Sequence, residues 1–583
     1  MIEDLLNNIH KPGQYLGSEW NVSRKDFHSA ALSFALGFPD LYEVGMSNLG
    51  LRILYGVLNN LPEVVCERFF APEPDMEAAL KTAKRRFFSW ESQQELISFD
   101  MLGFSLGSEL NYTNVLNILD LAGLPLEASL RNQEYPLVIG GGPCTLNPEP
   151  LHEFFDLFII GEAEEALVEL LNIYRKHQKD YKAGRLSKEQ LLIQLSEVEG
   201  VYAPCLYKAE YDASGELINF APRFASLPVK IKKRIVGNFE SSFFPCNWLV
   251  PYVQTIHDRI TLEIMRGCPN RCRFCQARSQ YYPLRIRSKE KIIQQALEAY
   301  RLTGYEELSL AGLSVGDYPE IEPLVCSLTG TFSSQAVNLS LPSLKAKALL
   351  GNVSTLIAKT KKTGLTFAPE AGTPRLREAL AKDFSEEEFF AAISQAYQAG
   401  YQHLKLYFLI GLPKEEEQDL RGIIDFARQA SELKRKINGS PAQINISINP
   451  LIPKPHTPLQ WQKMDSLETI REKQAFLRSY CKNRRIKIYF HDLTMGFLEG
   501  VFSRGDRRLS RVILSAYKKG ARFDAWSNYF SFPRWLEAFA ENQIDPQKYL
   551  DEKPAQSLLP WDFIDIGIAK EYLLCEFNKT IAS

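Results

Sequence analysis

The chain has 583 residues, of which 45% are hydrophobic and 24% are charged, and its formal net charge is −2. A chain of this length exceeds one hydrophobic core, so we expect about three domains. The near-zero charge gives no overall electrostatic footprint for nucleic acid. No apolar run reaches about 18 residues, so the sequence does not predict a membrane span. The first residues are acidic and polar, so it does not predict a signal peptide. We therefore expect a cytoplasmic protein with reduced cysteines.

From about residue 30 to residue 200, short apolar runs alternate with amphipathic runs. This pattern predicts an open, doubly wound parallel sheet with helices on both faces. Ser47 is the expected N-cap of the first helix of this region. The predicted strands are 33–38, 64–70, 101–106, 136–140 and 157–160, and the predicted helices are 47–59, 111–122, 164–174 and 182–197.

Two loops with glycines follow predicted strands of this sheet. Residues 140–143 follow the fourth strand and residues 161–165 follow the fifth. Ligands of open α/β sheets bind outside the carboxyl ends of the strands. Taken singly, each loop is equally explained by a tight strand-to-helix turn.

Residues 201–255 are interrupted by prolines and are predicted to be a linker. Alternation of strands and helices resumes at residue 256, and six or seven such pairs predict a partial or nearly full barrel, whose chemistry lies at the carboxyl ends of its strands. The predicted strands are 260–265, 306–311, 336–341, 364–368, 402–409, 443–449 and 486–490, and the predicted helices are 288–302, 319–329, 345–361, 385–399, 415–436 and 466–482.

Three cysteines, Cys268, Cys272 and Cys275, follow the first of these strands with the spacing C-x3-C-x2-C. A structural zinc site needs four protein ligands, usually as two C-x2-C pairs, whereas three thiolates leave one iron of an iron–sulfur cube open. Pro269 and Asn270 favour the tight turn that brings the first two cysteines together. The alternative is three reduced thiols without a metal.

The segment GCPNRCRFC resembles the signature of the radical S-adenosylmethionine (radical SAM) superfamily. That resemblance implies a 4Fe-4S cluster held by the three cysteines, whose open iron chelates the methionyl amine and carboxylate of S-adenosylmethionine (SAM). It also implies reductive cleavage of SAM to a 5′-deoxyadenosyl radical and a reductant such as flavodoxin or ferredoxin.

The later strand ends resemble further motifs of that superfamily. Gly312 occupies the position of a GGE-type motif, without its carboxylate, and Ser340 opens the segment at 340–344. Glu370 lies in a segment similar to the motif near the SAM ribose, so it is expected to accept hydrogen bonds from ribose hydroxyls. Gly411 and Pro413 resemble the segment beside adenine. Each segment alone is equally a turn or a helix cap.

The glycine loops of the first half, read with FSLGSELNYTNVLNILDLAG, resemble the cobalamin-binding domain that precedes the core in one radical SAM subfamily. Cys144 stands where that family commonly has histidine, and a D-x-H-x-x-G motif is absent from the sequence, so cobalt is not expected to receive a histidine from such a motif. The residues that this resemblance assigns to cobalamin are Gly141, Gly142, Pro143, Gly161, Glu162 and Glu165.

Residues 491–583 are predicted to be mostly helical. Ser503 to Asp506 is interpreted as a cap for the helix that carries Arg507 and Arg508, and the alternative is that these arginines hold an anionic substrate. The sequence thus predicts an α/β protein with a Rossmann-like domain of cobalamin-binding type at 1–200, a linker at 201–255, a radical SAM partial barrel at 256–490 and a helical region at 491–583.

The resemblance extends over nearly the full length, to an uncharacterised bacterial family of radical SAM proteins with a cobalamin-binding domain. It implies cobalamin-dependent methylation or a related carbon-centred modification of an unknown small molecule, protein or RNA, with no membrane partner. A first alternative is methylthio transfer to tRNA or a ribosomal protein, which needs three further N-terminal cysteines. A second alternative is an RNA- or ribosome-associated binding protein with a structural cluster.

Overall fold

The computed structural model describes residues 2–335, 337–340, 365–382 and 385–582. The chain divides into two units, each built from several stretches of sequence. Unit 1 contains Met1–Asp258, Val501–Tyr549 and Gln556–Gly567. Unit 2 contains Arg259–Gly500, Leu550–Ala555 and Ile568–Ser583. The C-terminal residues, which the sequence predicts as one region, are therefore shared between the units.

Unit 1 is built around a six-stranded sheet with the order β2-β1-β3-β4-β5-β6. The first five strands are parallel and the sixth is antiparallel to its neighbour. Every residue of β1 and β2 is buried, as expected for a parallel sheet covered on both faces. The strands are β1 Leu32–Phe38, β2 Val64–Phe70, β3 Met101–Ser105, β4 Leu137–Gly141, β5 Leu157–Ile159 and β6 Val201–Tyr202. The doubly wound architecture predicted from sequence is confirmed.

The helices of unit 1 cover both faces of this sheet. The chain moves one way from β1 to β2 and the other way from β2 to β3, so right-handed crossovers place α3 on one face and α4 and α5 on the other. Helix α6 contacts α3. The helices of this stretch are α1 Glu3–Leu6, α2 Tyr42–Gly45, α3 Leu49–Asn59, α4 Pro74–Ala83, α5 Tyr112–Leu121, α6 Ala163–Lys182 and α7 Lys188–Leu195.

Two predicted helix starts in unit 1 are wrong. The N-cap of α3 is Asn48 and not Ser47, because the Asn48 side chain accepts a hydrogen bond from the Leu51 amide. The predicted helix 182–197 begins only at Lys188, where Ser187 and Gln190 form a reciprocal capping box.

The stretch predicted as a linker has secondary structure of its own. It supplies β6 to the sheet, the hairpin of β7 Tyr207–Tyr211 and β8 Leu217–Pro222, and strand β9 Ile231–Lys232. Strand β9 pairs with a strand near the end of the chain, Ile564–Asp565. A helix at Leu509–Lys518 contacts α5. Late segments of the chain therefore complete unit 1.

The described residues of unit 2 form seven parallel strands in two sheets. The order is β10-β13-β14 in one sheet and β15-β16-β17-β18 in the other, and β11 pairs with β12 in a short antiparallel ribbon. The predicted barrel strands are confirmed, while the predicted helix 345–361 lies outside the described residues. The strands are β10 Ile260–Glu263, β11 Met265–Arg266, β12 Arg285–Ile286, β13 Glu307–Ala311, β14 Asn338–Ser340, β15 Leu365–Glu370, β16 His403–Ile410, β17 Gln443–Pro450 and β18 Ile486–Phe490, and the late strand in unit 1 is β19 Ile564–Asp565.

The second sheet of unit 2 buries one face against its helices. On β17, Ile444, Ile446 and Ile448 belong to this core, and the half-buried Asn445 and Ser447 alternate with them on the opposite face. In the described residues no helix is both long enough and apolar enough to cross a membrane. The remaining helices are α8 Gln276–Gln280, α9 Lys289–Thr303, α10 Ile321–Thr331, α11 Pro374–Ala379, α12 Glu386–Gln398, α13 Glu417–Asn438, α14 Leu467–Tyr480, α15 Leu493–Ser503, α16 Leu509–Lys518, α17 Phe532–Glu541, α18 Gln547–Leu550 and α19 Lys570–Ala582.

Candidate metal and cofactor site

The cysteine loop leaves β10 through a tightly held turn. The Ile264 amide donates to the Ala311 carbonyl, and the loop then forms the ribbon of β11 with β12. Gly267 has φ of +91°. A Cβ atom at this position would lie 2.8 Å from the Leu284 Cα and from the carbonyl oxygens of Pro283 and Tyr281. Only glycine fits here, directly before the first cysteine.

The three cysteines are half-buried thiols, and Cys268 and Cys275 lie close enough to Cys272 to affect its pKa. Burial, together with the neighbouring Cys275, Glu370 and Cys268, raises the pKa of Cys272 to about 11, and Lys382 opposes this shift. Burial also raises the pKa of Cys275. Without a bound metal, Cys272 and Cys275 are protonated at neutral pH, so a metal that binds to them must displace protons.

The three thiols do not form a ready-made site for one metal ion. In the part of the chain that the structure describes, no three His, Cys, Asp or Glu side chains converge as ligands of one ion do. A cubic iron–sulfur cluster places each thiolate on a different iron, so its ligands do not meet at one point.

Asn270 connects the cysteine loop to the end of β13. Its Nδ2 donates to the Cys268 Sγ at 3.3 Å and to the Asp317 Oδ2 at 2.9 Å. Ser314 also donates to Asp317, at 2.6 Å. The predicted turn at Pro269 and Asn270 therefore also holds the first thiol in place.

Arg273 anchors the loop from its other side. Its amide donates to the Leu380 carbonyl at 3.0 Å and its Nη1 donates to the Ala379 carbonyl at 2.8 Å. Its Nε lies 2.9 Å from the Glu576 carboxylate, and both side chains are 10% exposed. The loop is thus fixed to α11 and to the last helix, α19.

Glu370 ends β15 beside this loop in a strained backbone conformation. Its φ is +69°, at an irregularity in the pairing of β15 with β16. Burial raises the pKa of its carboxyl, and Lys382, 3.4 Å away, opposes this shift. The Glu370 charge in turn raises the pKa values of Cys272 and Cys275. A positive φ in a residue other than glycine is costly and marks a candidate functional position.

The two earlier strand ends complete one side of the site. A Cβ on Gly312 would lie 2.6 Å from the Met265 Cγ, so the end of β13 approaches the start of the cysteine loop more closely than a side chain allows. Ser340 is half-buried at the end of β14, where it pairs with Ser309. The segment 341–344 after it lies outside the described residues.

The loop after β16 is held by a buried ion pair. Gly411 has φ of +81° and its amide donates to the Glu415 Oε2 at 2.9 Å. Burial raises the pKa of Glu415, and Lys473, 2.7 Å from it, opposes this shift. Lys473 also bridges to Asp465 at 2.7 Å. Pro413 is buried beside Gly411, so this strand end is rigid.

Gly372 and Gly422 let the segment after Glu370 pack directly on the backbone of α13. A Cβ on Gly372 would lie 2.3 Å from the Asp419 carbonyl oxygen, and one on Gly422 would lie 2.7 Å from the Gly372 oxygen. The Asp419 carboxylate accepts hydrogen bonds from Thr373 and, at 2.5 Å, from Arg375. Asp419 and Gly422 were not identified from sequence, although a glycine inside a helical pattern signals close packing.

In unit 1 the loop after β4 is open on one side. A Cβ on Gly141 would meet nothing within 4 Å. Gly142 has φ of +97° and lies against the Leu106 backbone, where a Cβ would be 3.0 Å from the carbonyl oxygen. Pro143 is half-buried, and the Cys144 side chain is buried. Gly141 thus borders open space at the carboxyl edge of the sheet, whereas Gly142 packs against the backbone of Leu106.

The loop after β5 binds another segment of the same chain, residues 234–237. Gly161 forms a bridge with Arg234, and a Cβ there would lie 2.2 Å from the Arg234 oxygen. The Glu162 carboxylate accepts from the Val236 amide at 2.7 Å, and Glu165 forms an ion pair of 2.9 Å with Arg234. These three predicted contacts of cobalamin hold the segment 234–237.

The late segments of unit 1 lie on the same carboxyl edge. Asn147 donates to the carbonyls of Ser503 and Gly505, at 3.0 and 2.8 Å. The Arg507 Nε lies 2.6 Å from the Glu149 carboxylate, so this guanidinium is committed to an internal ion pair. Asp506 accepts from the Arg508 amide at 2.9 Å, one residue before α16 begins.

Two family models match this chain. One is described as "Radical SAM proteins, N-terminal" and matches residues 50–204, and the other is described as "Radical SAM superfamily" and matches residues 262–427. Together they span more than half of the sequence, and the second includes the cysteine loop. The chain belongs to the radical SAM superfamily.

Two relatives of this radical SAM protein differ in how much of it they match. An uncharacterised protein of Methanocaldococcus jannaschii is 28% identical over 507 residues, which cover 85% of this chain and 96% of the relative. The ribosomal protein uS12 methylthiotransferase RimO of Pelotomaculum thermopropionicum is 28% identical over 182 residues, which cover 29% of this chain and 40% of RimO.

Solved structures of radical SAM enzymes are similar in fold. The methyltransferase TsrM from Kitasatospora setae, with cobalamin and a 4Fe-4S cluster bound, has a TM-score of 0.50 and 13% identity, covering 88% of this chain and 99% of TsrM. The cobalamin-dependent enzyme OxsB, with aqua-cobalamin and SAM bound, has a TM-score of 0.48 and 14% identity, covering 98% of this chain and 84% of OxsB. The likeness to TsrM shows a shared fold.

Proposed function

We propose that this radical SAM protein holds a 4Fe-4S cluster at Cys268, Cys272 and Cys275 and uses it to cleave SAM reductively. The observation that carries the proposal is the rigid loop with three neighbouring, half-buried thiols, next to a strained acidic residue, Glu370. When bound, the cluster supplies the electron for breaking a carbon–sulfur bond of SAM. The residues of the chain then have to bind SAM, orient it and exclude water.

The strand ends supply candidate groups for SAM. The Glu370 carboxylate is proposed to accept hydrogen bonds from ribose hydroxyls. Gly312, which follows β13 beside the start of the cysteine loop, is proposed for backbone contacts with the methionyl part. Gly411 and Pro413 form the rigid edge proposed to lie beside adenine. Ser340 is proposed as a further polar contact. The carboxyl ends of parallel strands lie at the same edge of a sheet, so within each sheet these groups lie at one edge.

We further propose that unit 1 binds cobalamin and that the reaction is a methylation or a related carbon-centred modification. Gly141 fits this role because it borders open space where a flat ring can approach the backbone, and Gly142 and Pro143 are proposed with it because they continue the same loop. Gly161, Glu162 and Glu165 fit it less directly, because their backbone and carboxylates already bind the segment 234–237. Cobalamin, when bound, supplies a transferable methyl group. The fold shared with TsrM supports this proposal.

We interpret the similarity to RimO as a shared radical SAM core, and we do not propose methylthio transfer for this chain. That chemistry needs a second cluster with three further N-terminal cysteines. Of the cysteines before residue 200, Cys66 is fully buried, with a pKa raised well above its ordinary value by burial, and Cys144 is buried as well. The proposed partners are a protein reductant such as flavodoxin or ferredoxin and a substrate that is a small molecule, a protein or an RNA.

The cluster is tested by anaerobic reconstitution and iron analysis of four single variants. We expect about four iron atoms per chain in the wild type and loss of iron and of visible absorbance in Cys268→Ala, Cys272→Ala and Cys275→Ala. Cys326→Ala, which removes an exposed thiol of α10, is the matched control and should keep its iron. With reductant and SAM, the wild type should release 5′-deoxyadenosine. Unchanged iron in all three loop variants would contradict the proposal.

Cobalamin binding is tested by mixing the reconstituted protein with hydroxocobalamin and desalting it anaerobically. The wild type should retain stoichiometric cobalt with a spectrum that lacks a nitrogen ligand from histidine. Gly141→Leu should retain much less, because the side chain fills the open space beside the loop. If the wild type retains no cobalt while its cluster is intact, unit 1 is a recognition or scaffolding unit and the methylation proposal is wrong.

A further inference from the structure

The second sheet of unit 2 has lysines and tyrosines on the face opposite its core. On β16, Lys405 is exposed and Tyr407 is half-buried, and on β18, Lys487 and Tyr489 are exposed. The side chains that alternate with them on both strands belong to the core or pack against it. We call the following six residues the open face: Lys405, Tyr407, Asn445, Ser447, Lys487 and Tyr489.

The two lysines form one row across the strands β16, β17 and β18. Lys405 pairs with Asn445, and Asn445 pairs with Lys487. The Cα atoms of the two lysines are therefore two strand spacings apart, about 10 Å. The flexible four-carbon stem of lysine lets both ammonium groups reach one small anion from this separation.

The lysine row has no counter-charge. Within the described residues, neither the Lys405 nor the Lys487 ammonium group forms an ion pair or a hydrogen bond. In the same part of the chain the buried Asn445 Oδ1 between them accepts no hydrogen bond either, so this amide does not satisfy the lysines. The only acidic residue in the four strands of this sheet is Glu370, at the end of β15, and it is paired with Lys382.

The charged residues on the strands of the first sheet are neutralised, in contrast to this row. Glu263 of β10 forms an ion pair of 2.9 Å with Arg266, and Glu307 of β13 forms one of 2.7 Å with Arg259. The charge that remains without a partner on the described strands of unit 2 is therefore positive. A surface of this kind is complementary to an anion.

The tyrosines form a second row, which lies nearer the carboxyl edge of the sheet. Tyr407 pairs with Ser447, and Ser447 pairs with Tyr489. The Lys405 Nζ lies 4.7 Å from the centre of the Tyr407 ring, and Tyr489 is 52% exposed. Exposed aromatic rings next to the lysine row offer a surface on which a planar ring can pack.

We propose that the open face binds the substrate of this enzyme, and that the substrate is a small molecule with a phosphate group and a planar ring. The inference rests on the proposed function, which places the chemistry at the carboxyl ends of the strands. Lysine binds phosphate as a point charge, and two lysines match the two negative charges of a phosphate monoester. The forked recognition that is typical of carboxylates uses arginine, which is absent from these four strands.

The lysine row lies at a distance from the proposed SAM contacts. Lys405 precedes Ile410, the last residue of β16, by five residues, which correspond to about 16 Å at the rise of a strand. The phosphate is therefore held far from the reacting carbon. Its binding energy orients the substrate, as contacts to a non-reacting part of a substrate do.

The small number of cationic side chains favours a small molecule over RNA. Proteins that bind single-stranded RNA follow its backbone along a positively charged groove and stack successive bases on aromatic side chains. The open face has two lysines, and the formal net charge of the whole chain is −2. RNA binding is one outcome of the test.

The charge requirement is tested by anaerobic equilibrium dialysis of the reconstituted full-length protein against 1-naphthyl phosphate, a fluorescent phosphate monoester with a planar ring. Lys405→Gln and Lys487→Gln should each weaken binding about tenfold, because each removes one charge-assisted contact. Lys436→Gln changes an exposed lysine of α13, away from this sheet, and is the matched control that should bind like the wild type. Thermal midpoints confirm that the variants are folded.

The ring and the phosphate are tested separately. Tyr489→Ala should weaken binding of 1-naphthyl phosphate about fivefold, whereas Tyr489→Phe keeps the ring and should bind like the wild type. Inorganic phosphate, which lacks the ring, and 1-naphthol, which lacks the charge, should each bind at least tenfold more weakly than the ester. The carboxylate 1-naphthoate should bind at least several-fold more weakly than the ester.

Four results would overturn the inference. These are a wild type that does not bind 1-naphthyl phosphate, lysine variants that bind it like the wild type, 1-naphthoate that binds as tightly as the ester, and a short single-stranded RNA that requires the two lysines while the ester does not. The proposed function fails separately, when the wild type holds no cluster or releases no 5′-deoxyadenosine. The dialysis does not depend on turnover, so it still decides whether the open face binds the phosphate ester.

Discussion

Arg273 and Glu576, 303 residues apart in sequence, form an ion pair of 2.9 Å that ties the middle of the cysteine loop to the last helix of the chain. Both side chains are 10% exposed, so the pair is largely shielded from water. Removing the partner of a guanidinium in such a position strongly destabilises the folded protein, because it leaves a buried charge without a counter-charge. The geometry of the proposed cluster site therefore depends on a residue close to the C terminus.

We expect Glu576→Gln to lower the free energy of unfolding of unit 2 by about 2 kcal/mol, because it leaves Arg273 without a counter-charge. Reconstituted iron should fall as well, since the loop loses its anchor on α19. Glu571→Gln removes an exposed carboxylate of the same helix and should change stability by less than about 0.5 kcal/mol. Urea midpoints and iron content measure both effects, and equal behaviour of the two variants would contradict the role assigned to this ion pair.

Glu370 allows stability and binding to be separated. Glu370→Gly relieves the positive φ and should stabilise the protein by about 1 kcal/mol, whereas Glu370→Gln keeps the strain. Both variants remove the carboxylate and should weaken SAM binding about tenfold, which corresponds to about 1.4 kcal/mol. Calorimetric titration with SAM and thermal midpoints test the pair. Unaltered SAM affinity in Glu370→Gln would remove the proposed ribose contact.

Gly372→Ala should disrupt the packing of the segment after Glu370 on α13. The added Cβ would lie 2.3 Å from a backbone oxygen that cannot move without shifting the helix, and overpacking of this kind costs about 3 kcal/mol. Gly330→Ala in α10 is the control, because a Cβ there meets nothing within 4 Å and alanine favours the helix by up to about 1 kcal/mol. Urea denaturation should place the two variants on opposite sides of the wild type.

Asp524 predicts a dependence of the stability of unit 1 on pH. Burial raises the pKa of its carboxyl from 3.8 to about 6, and hydrogen bonds from Trp535 and Thr113 oppose this shift only in part. The folded chain therefore holds a proton that the unfolded chain releases. The stabilisation this gives is complete at acidic pH below about 3.8 and is lost as pH rises to about 6.

In the wild type, raising the pH through this range should lower the free energy of unfolding of unit 1 by up to about 3 kcal/mol, and Asp524→Asn should abolish this decrease. The difference between its urea midpoints at pH 4 and pH 7.5 should be smaller than that of the wild type. Asp258→Asn, which changes an exposed carboxylate of unit 1, should follow the wild type. A pH dependence of Asp524→Asn equal to that of the wild type would show that this carboxyl does not titrate in the expected range.

Regular segments and local motifs could be predicted from sequence, because their signals are local. Apolar runs located β1 and β17 to within about a residue, well inside the usual error of element boundaries. The C-x3-C-x2-C spacing located the thiols that the structure brings together. The strand ends at Glu370 and Gly411 were also identified, because a glycine or an acidic residue after an apolar run can be recognised from the sequence alone.

Partners distant in sequence could not be predicted. The pairing of Glu162 with the Val236 amide, of β9 with β19, and of Arg273 with Glu576 leaves no local pattern. A charged residue looks the same in sequence whether it is solvated or buried in an ion pair. The Arg507 guanidinium illustrates this, since both sequence interpretations of it assumed a role other than its internal pairing with Glu149.

The division of unit 1 between early and late sequence affects its synthesis. The ribosome completes Asp258 about 240 residues before it begins the second stretch of unit 1 at Val501. At elongation rates of about 5–20 residues per second, the nascent sheet waits roughly 12–50 s for the residues that pair with Asn147, Glu149 and Thr113. During that interval its carboxyl edge is uncovered, so a corrin or a chaperone present during translation meets a more accessible surface than the finished protein offers.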